Sequence, residues 1–329
     1  MALTSPGPSP AAPKPLTHQS YHIAILCPLE IELSAVRYML DEEHPRLPSA
    51  RNDPNVYILG KLSGHNVVLV ALPEGSQGTV AAATVATHLW LTFPKARRFL
   101  CVGIGGGVPS RQHDVRLGDV VIGAPVSVPG AGVRQGGVVE YDLGIEGPNG
   151  FRRTSKLAAP PAEWVGIVKN MAAVHQARGN RIDEFIAHML RTYPMLRGAY
   201  QRPPPERDVL FQPQYIHPAQ GGCGRCDRRM VVPRPRRSSP ATSHVSCGII
   251  ASGNRVMKDA VKRDKIAGEA GGALCFEMEA AGMMKEYQAI VIRGIADYCD
   301  SHKNDDWHGY AAAAAAATAK EMLMYLQRA

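Results

Sequence analysis

The sequence predicts an α/β protein in three layers, a sheet covered by helices on both faces. Two observations carry this. Strand-like and helix-like segments alternate from Tyr21 onward, and several of the strand-like runs are apolar throughout, as buried strands are. The bulk numbers permit it: 329 residues, 45% hydrophobic and 20% charged, suit a globular protein with a sizeable core, as one large domain or two small ones.

Taken in order, residues 22–27 read as a strand and 30–41 as a helix with Leu33, Val36 and Leu40 on one face. Residues 56–62 and 66–72 pair as a hairpin around Ser63-Gly64. An Ala-rich helix at 79–90 follows Gly75-Ser76-Gln77-Gly78, a buried strand at 99–103 runs into Gly105-Gly106-Gly107, and 119–126 is a further strand. After Gly150 the pattern loosens, with helical stretches at 161–176 and 182–196. Residues 201–244 then place Pro203, Pro204, Pro205, Pro233, Pro235 and Pro240 among many arginines, which marks an irregular Pro/Arg-rich insertion at about 197–244. A strand at 247–250, helices at 255–266 and 279–287, a strand at 289–296 and a long helix from Trp307 complete the chain. No internal repeat is visible. Residues 1–20, rich in Pro, Ser and Ala without an apolar stretch, read as a disordered leader before a folded domain at 21–329.

The net charge of +8 invites a nucleic-acid partner, but its placement argues against one. Residues 191–237 hold ten arginines, no lysine and three acids (Glu206, Asp208 and Asp227), so nearly all the excess sits in the insertion. A near-neutral body with one basic segment is not a basic groove interleaved with aromatics. No run of about 18 apolar residues is present, so no membrane span is expected. The seven scattered cysteines fit a reducing compartment, hence a cytoplasmic protein, and five of them lie in or beside apolar runs as small core residues.

Chemistry concentrates near the C-terminus. Phe276-Glu277-Met278-Glu279 and the run from Ile290 to Asp297 place three acids and Arg293 within an otherwise core-like segment. Buried charges are costly unless paired or used. Two carboxylates near an arginine in a partly dry pocket make an acid/base site; a structural ion pair beside a strand is the plainer reading. Gly103-Ile104-Gly105-Gly106-Gly107 has the look of a dinucleotide turn but lacks the acid about 20 residues on. Cys223-Gly224-Arg225-Cys226 with His217 upstream is either a pair of free thiols in a loop or half of a zinc site that Cys247 or His244 would complete.

Six short motifs in order then resemble one family. They are Leu26-Cys27-Pro28-Leu29-Glu30-Ile31-Glu32, Val102 to Gly107, Leu117-Gly118-Asp119, Ala251-Ser252-Gly253-Asn254, Glu277-Met278-Glu279 and Arg293-Gly294-Ile295-Ala296-Asp297. Together they resemble the purine nucleoside phosphorylase/uridine phosphorylase superfamily, closest to methylthioadenosine/S-adenosylhomocysteine nucleosidase and to the fungal nucleosidase-like domains found alone or before NACHT or repeat modules. The resemblance spans about Tyr21 to Leu326 without the insertion, and implies a central mixed twisted sheet.

The resemblance also implies roles. Asp297 is expected to protonate the leaving purine at N7, although alone it also suits a helix N-cap after a strand. Glu279 is expected to hold the ribose hydroxyls and the positive charge that grows on the sugar, with Met278 against the ribose or simply filling core. Glu32 is expected to direct the attacking water, or else to complement a helix dipole, the role left to Glu30. Arg293 is expected beside the water and ribose, paired with acids such as Glu279. Val256 and Met257, with Asn254 near them, are expected at the base, Ile104 and Gly105 beside the water, Trp307 at the 5′ end, and His308 on a 5′ hydroxyl or merely on the surface.

Phosphorolysis needs arginines around phosphate, yet residues 22–36 contain none and Cys101 and Ile104 occupy the second family position. The expectation is therefore a purine nucleosidase acting with water on adenosine or a 5′-modified relative, with no organic cofactor or metal in the chemistry. Ile104, where the family has a small polar residue, points to lower activity. Phosphorolysis and a nucleoside- or nucleotide-sensing role in a fungal immune-like protein are the alternatives. The family's habit implies a homo-oligomer.

Overall fold

The computed structural model describes residues 15–128, 132–218, 223–237 and 242–327. Its first half contains β1 (Ile23–Leu26), α1 (Glu30–Arg37), β2 (Glu42–His44), β3 (Tyr57–Leu62), β4 (His65–Val70), α2 (Thr79–Thr92) and β5 (Arg98–Gly107). Six short strands follow: β6 (Val120–Ile122), β7 (Val126–Val128), β8 (Gly132–Arg134), β9 (Gly137–Glu140), β10 (Gly144–Gly147) and β11 (Gly150–Arg153). Then come α3 (Ala162–Arg178), α4 (Ile182–Thr192), α5 (Arg197–Tyr200), β12 (Val245–Cys247), β13 (Ile249–Ser252) and α6 (Ala260–Glu269). The chain closes with β14 (Cys275–Glu277), α7 (Ala280–Met284), β15 (Ile290–Asp297) and α8 (His308–Leu323). Of the leader expected at 1–20, residues 1–14 lie outside the described residues, and His18–Ser20 forms one 3₁₀ turn.

Among the described residues the sheet is mixed, with eleven strands. Its path runs β12-β6-β15-β5-β1-β4-β3-β2, and β14, β13 and β9 branch from β5. The hairpin β3–β4 pairs antiparallel around Ser63 and Gly64, both at positive φ, as a tight two-residue turn requires. On one side α8 packs on β15 and β5 and carries α1, α4 and α5; α2 packs against α7. The alanine run of α8 is buried because the helix lies directly on the sheet: a Cβ on Gly294 would stand 1.9 Å from the Ala311 carbonyl. Small side chains on both elements permit that approach.

Several expected boundaries move, for identifiable reasons. The first helix stops at Arg37 instead of continuing to 41, because Glu42–His44 pairs with β3 as an edge strand, a tertiary pairing that overrides helical propensity. The helix expected from 255 begins at Ala260, where the Asp259 carboxylate accepts from the Lys262 amide at 3.0 Å. Residues 105–107 are the end of strand β5 rather than a turn. Added Cβ atoms there would meet the Cys275 and Cys299 sulfurs and the Ile295 side chain at 2.4, 2.1 and 2.8 Å, so these glycines serve close packing.

The insertion docks on the body through its own arginines. Arg237 is bidentate to Asp119 at 2.7 Å, and Arg234 meets Asp208 at 2.9 Å and the Tyr298 hydroxyl at 2.7 Å. Both guanidinium side chains are only 12% exposed, so these two charges tie the insertion down, while Arg207 and Arg229 stay exposed. Among the described residues no helix is long and apolar enough to cross a membrane, and all seven cysteines are free thiols.

Candidate active site

The geometry of β5 opens the site. Residues 98–101 pair with β1 on one edge, and residues 106–107 pair with β14 on that branch of the sheet. Between them Val102 to Gly105 pair with β15 alone. Backbone groups there must find other partners, and side chains supply them. The Ile104 amide donates to Glu32 Oε1 at 2.6 Å, and its carbonyl accepts from Arg293 Nη1 at 3.3 Å.

Around that gap lies a cluster of three glutamates on one arginine. Glu32, at the start of α1, also accepts from the Leu29 amide at 2.7 Å and stands 3.9 Å from Arg293. Arg293 Nη2 donates to Glu277 Oε2 at 2.5 Å and to Glu279 Oε2 at 3.5 Å. Glu277 also receives the Glu279 and Ala280 amides at 3.2 and 2.9 Å, while Glu279 Oε1 accepts from Gly78 at 3.4 Å. All four side chains are buried. Gly103 is required beneath them, because a Cβ there would lie 2.4 Å from Glu32 Oε1 and 2.5 Å from Arg293 Nη1.

The cluster is electrostatically uneven. Burial raises Glu32 to about 7, against the pull of Arg293 and the two amides. Burial likewise raises Glu279, opposed by Arg293 and aided by Glu277. Burial alone would lower Arg293, but Cys101 and the three glutamates hold it well above its ordinary value. A carboxyl with its pKa near 7 sits where it exchanges a proton readily at neutral pH.

Asp297 ends β15 and lines the same cavity. Its Oδ1 accepts from the Cys299 amide at 2.7 Å, and its Oδ2 is ion-paired with Lys303. Burial pulls Lys303 down, but Asp297 outweighs it and leaves the amine above its usual range. One cavity of about 220 Å³ joins Glu32, Glu277, Met278, Glu279 and Asp297 with Ile104, Gly105, Val256, Met257 and His308. The irregular 255–259 segment brings Val256 and Met257 there.

Three expected residues do not line this cavity: Asn254, Trp307 and Arg293. The Asn254 side chain is committed to the start of α2, its Oδ1 accepting from the Thr79 amide at 2.9 Å. Trp307 is buried away from it, edge-on to Tyr310 and under the Arg202 guanidinium. The lining conversely includes Lys303, Arg255 and Gln77, which sequence reasoning missed. Arg293 lies against the wall through its three acids rather than in the lining. Of the two cations that line the cavity, Lys303 is paired with Asp297 and Arg255 lies over the Tyr141 ring, 5.3 Å from its centroid.

Comparison with known proteins places this geometry in context. The family model described as the phosphorylase superfamily matches residues 22–326. A nucleotide-binding leucine-rich repeat (NLR)-like protein of Hyaloscypha variabilis is 38% identical over 309 residues; the match covers 94% of this chain, which spans only 30% of that relative's length. Among solved structures, the 5′-methylthioadenosine/S-adenosylhomocysteine nucleosidase of Neisseria meningitidis is 18% identical with a TM-score of 0.57, over 92% of this chain and 99% of that one. Futalosine hydrolase of Helicobacter pylori is 16% identical with a TM-score of 0.59, over 94% and 100%. At such identities the structural likeness establishes the fold.

Proposed function

This chain belongs to the phosphorylase superfamily, and from that premise we propose that it is a purine nucleosidase, hydrolysing the N-glycosidic bond of adenosine or a 5′-modified relative. The observation that carries the reading is the pairing of two differently held acids on one cavity: Glu32, raised to about 7, and Asp297, anchored by the Cys299 amide and Lys303. The base stacks among Val256, Met257 and Phe276, and the ribose hydroxyls donate to Glu279. Asp297 relays a proton from the Lys303 ammonium to N7 as the bond from C1′ to N9 breaks and its electrons pass to the purine. Glu32 takes a proton from water as the water oxygen bonds C1′. Glu279 and Glu277 offset the positive charge on the sugar.

Water rather than phosphate is favoured by the charge balance. Arg293, the cation nearest Glu32, is surrounded by three glutamates, and Lys303 is engaged by Asp297. A phosphate there would meet more anions than cations, so phosphorolysis is the less favoured chemistry. The NLR-like relative supports a second reading, a ligand-sensing module that binds a nucleoside or nucleotide and passes a signal onward. Exposed Val80, Trp90 and Leu91 on α2 favour a homo-oligomer, and the seven free thiols suit the cytoplasm.

The test is Asp297→Asn with adenosine as substrate. The nucleosidase reading expects adenine release to fall at least about 10²-fold, as loss of a general acid does, while adenosine binding by calorimetry persists. Equal turnover in variant and parent would refute the assignment of Asp297, and binding without turnover in both would select the sensing role.

A further inference from the structure

We propose that the insertion holds a structural zinc ion on His217, Cys223 and Cys226, with His302 as the fourth ligand, and that this ion clips the insertion to the loop carrying Lys303. The ligand atoms of His217, Cys223 and Cys226 lie within 4.8 Å of one another, and Cys226 is buried. Two thiolates with imidazoles, Cys226 buried and His217 and Cys223 partly so, make the soft donor set that selects zinc over harder divalent ions. Structural zinc is four-coordinate, so a fourth donor is needed. Neither Cys247 and His244, the candidates from sequence, nor His302 is among the three residues whose ligand atoms already meet; Cys247 and His244 lie in and just before β12, whereas the His302 ring touches that of His217.

His302 fits instead. It is 7% exposed, and neither ring nitrogen has a hydrogen-bond partner, Asp300 standing 3.9 Å from Nδ1, an expensive state for a buried imidazole. Its ring centroid is 5.2 Å from that of His217, at an interplanar angle of 69°. Two imidazoles on one tetrahedral ion, each with its nitrogen about 2 Å from the metal, hold their centroids about 5 Å apart. The Cys223 sulfur lies 3.9 Å from the His302 carbonyl, and the His217 amide donates to Ser301 Oγ at 2.9 Å. Phe211, from the insertion, stacks on the His302 ring at 4.1 Å and fixes its plane. His302 directly precedes Lys303, the partner of Asp297, so the ion would brace one wall of the candidate active site from behind.

Binding deprotonates both thiols and releases two protons as two sulfur–zinc bonds form. The experiment takes the full 329-residue chain, purified with reductant and without chelator, and measures its metal content, then replaces the metal with cobalt(II). One zinc per chain and thiolate-to-cobalt charge-transfer absorption are expected, with the absorption lost in Cys223→Ser and kept in Cys247→Ser. A readout on the parent chain guards against variants that fail to fold. Mass-spectrometric alkylation of Cys223 and Cys226 should slow at least about tenfold with zinc bound and recover on chelation, as metal-held thiolates do. His302→Gln should weaken zinc binding at least tenfold with the fold retained by circular dichroism. A metal-free chain whose thiol labelling ignores added zinc, or a Cys223–Cys226 disulfide in its place, would overturn the proposal.

Discussion

Replacing Glu32 with Gln keeps the shape of a buried side chain and removes its titration, which separates its chemical role from its packing. Burial moves this carboxyl from 4.5 to about 7 in the native state. The native chain therefore holds the proton more tightly than the unfolded chain, so stability falls as pH rises from about 4.5 to about 7. The loss over that window is about 3 kcal/mol. Gln has no such dependence, but it has only one acceptor oxygen for the two amides, Leu29 and Ile104, that Glu32 satisfies. One buried donor is left unpaired, at a cost of about 1–3 kcal/mol.

Glu32→Gln should therefore be less stable than the parent at pH 5 by about 1–3 kcal/mol and equal or slightly more stable at pH 8. Urea denaturation at both values measures the gap. Activity should move the other way. In the parent, kcat/KM should rise about tenfold per pH unit below 7 and level off above it, as an ionising base requires. The variant at pH 8 should lose about 10²–10⁴ in rate with its stability intact. A stability gap that stays constant or widens with pH would refute the burial argument. An unchanged acidic limb in the variant would remove Glu32 from the chemistry.

Arg293→Met strands three buried glutamates without their cation and should cost about 3–5 kcal/mol in chemical denaturation, most at high pH where the acids ionise. Gly103→Ala drives a methyl into the contact between Glu32 and Arg293; adenosine turnover should fall by at least tenfold with a loss of stability of about 1–3 kcal/mol, both read on one preparation. Arg237→Gln removes the bidentate clamp on Asp119, and limited proteolysis should then cut within residues 201–244 several times faster, while the rest of the chain stays resistant.

Where local pattern and burial agreed, the fold was legible. The apolar run at β15, the Ser63-Gly64 hairpin and the Ala-rich helices all carry their own periodicity or turn chemistry, and the structure keeps them. Strands β7 to β11 were missed because three or four residues carry no usable period. The acids and Arg293 stood out as charges in apolar sequence. Lys303 did not, since nothing in a Ser-His-Lys-Asn loop marks one lysine as the partner of an aspartate six residues back. Arg255 was hidden inside an expected helix that in fact begins five residues later. Trp307 and Asn254 fall outside the cavity lining for the same kind of reason. Their partners, Arg202, Tyr310 and Thr79, are chosen by tertiary packing, and spacing in the sequence does not display it.

The central claim is that this cavity cleaves a purine nucleoside with water. Adenosine incubated with the chain in phosphate-free buffer and in phosphate, with products separated by chromatography, tests it most directly. Adenine and free ribose are expected in equal amounts in both tubes, at similar rates. Ribose 1-phosphate formed only in the phosphate tube would overturn hydrolysis, because phosphate would then bind beside the three glutamates whose charge disfavours it.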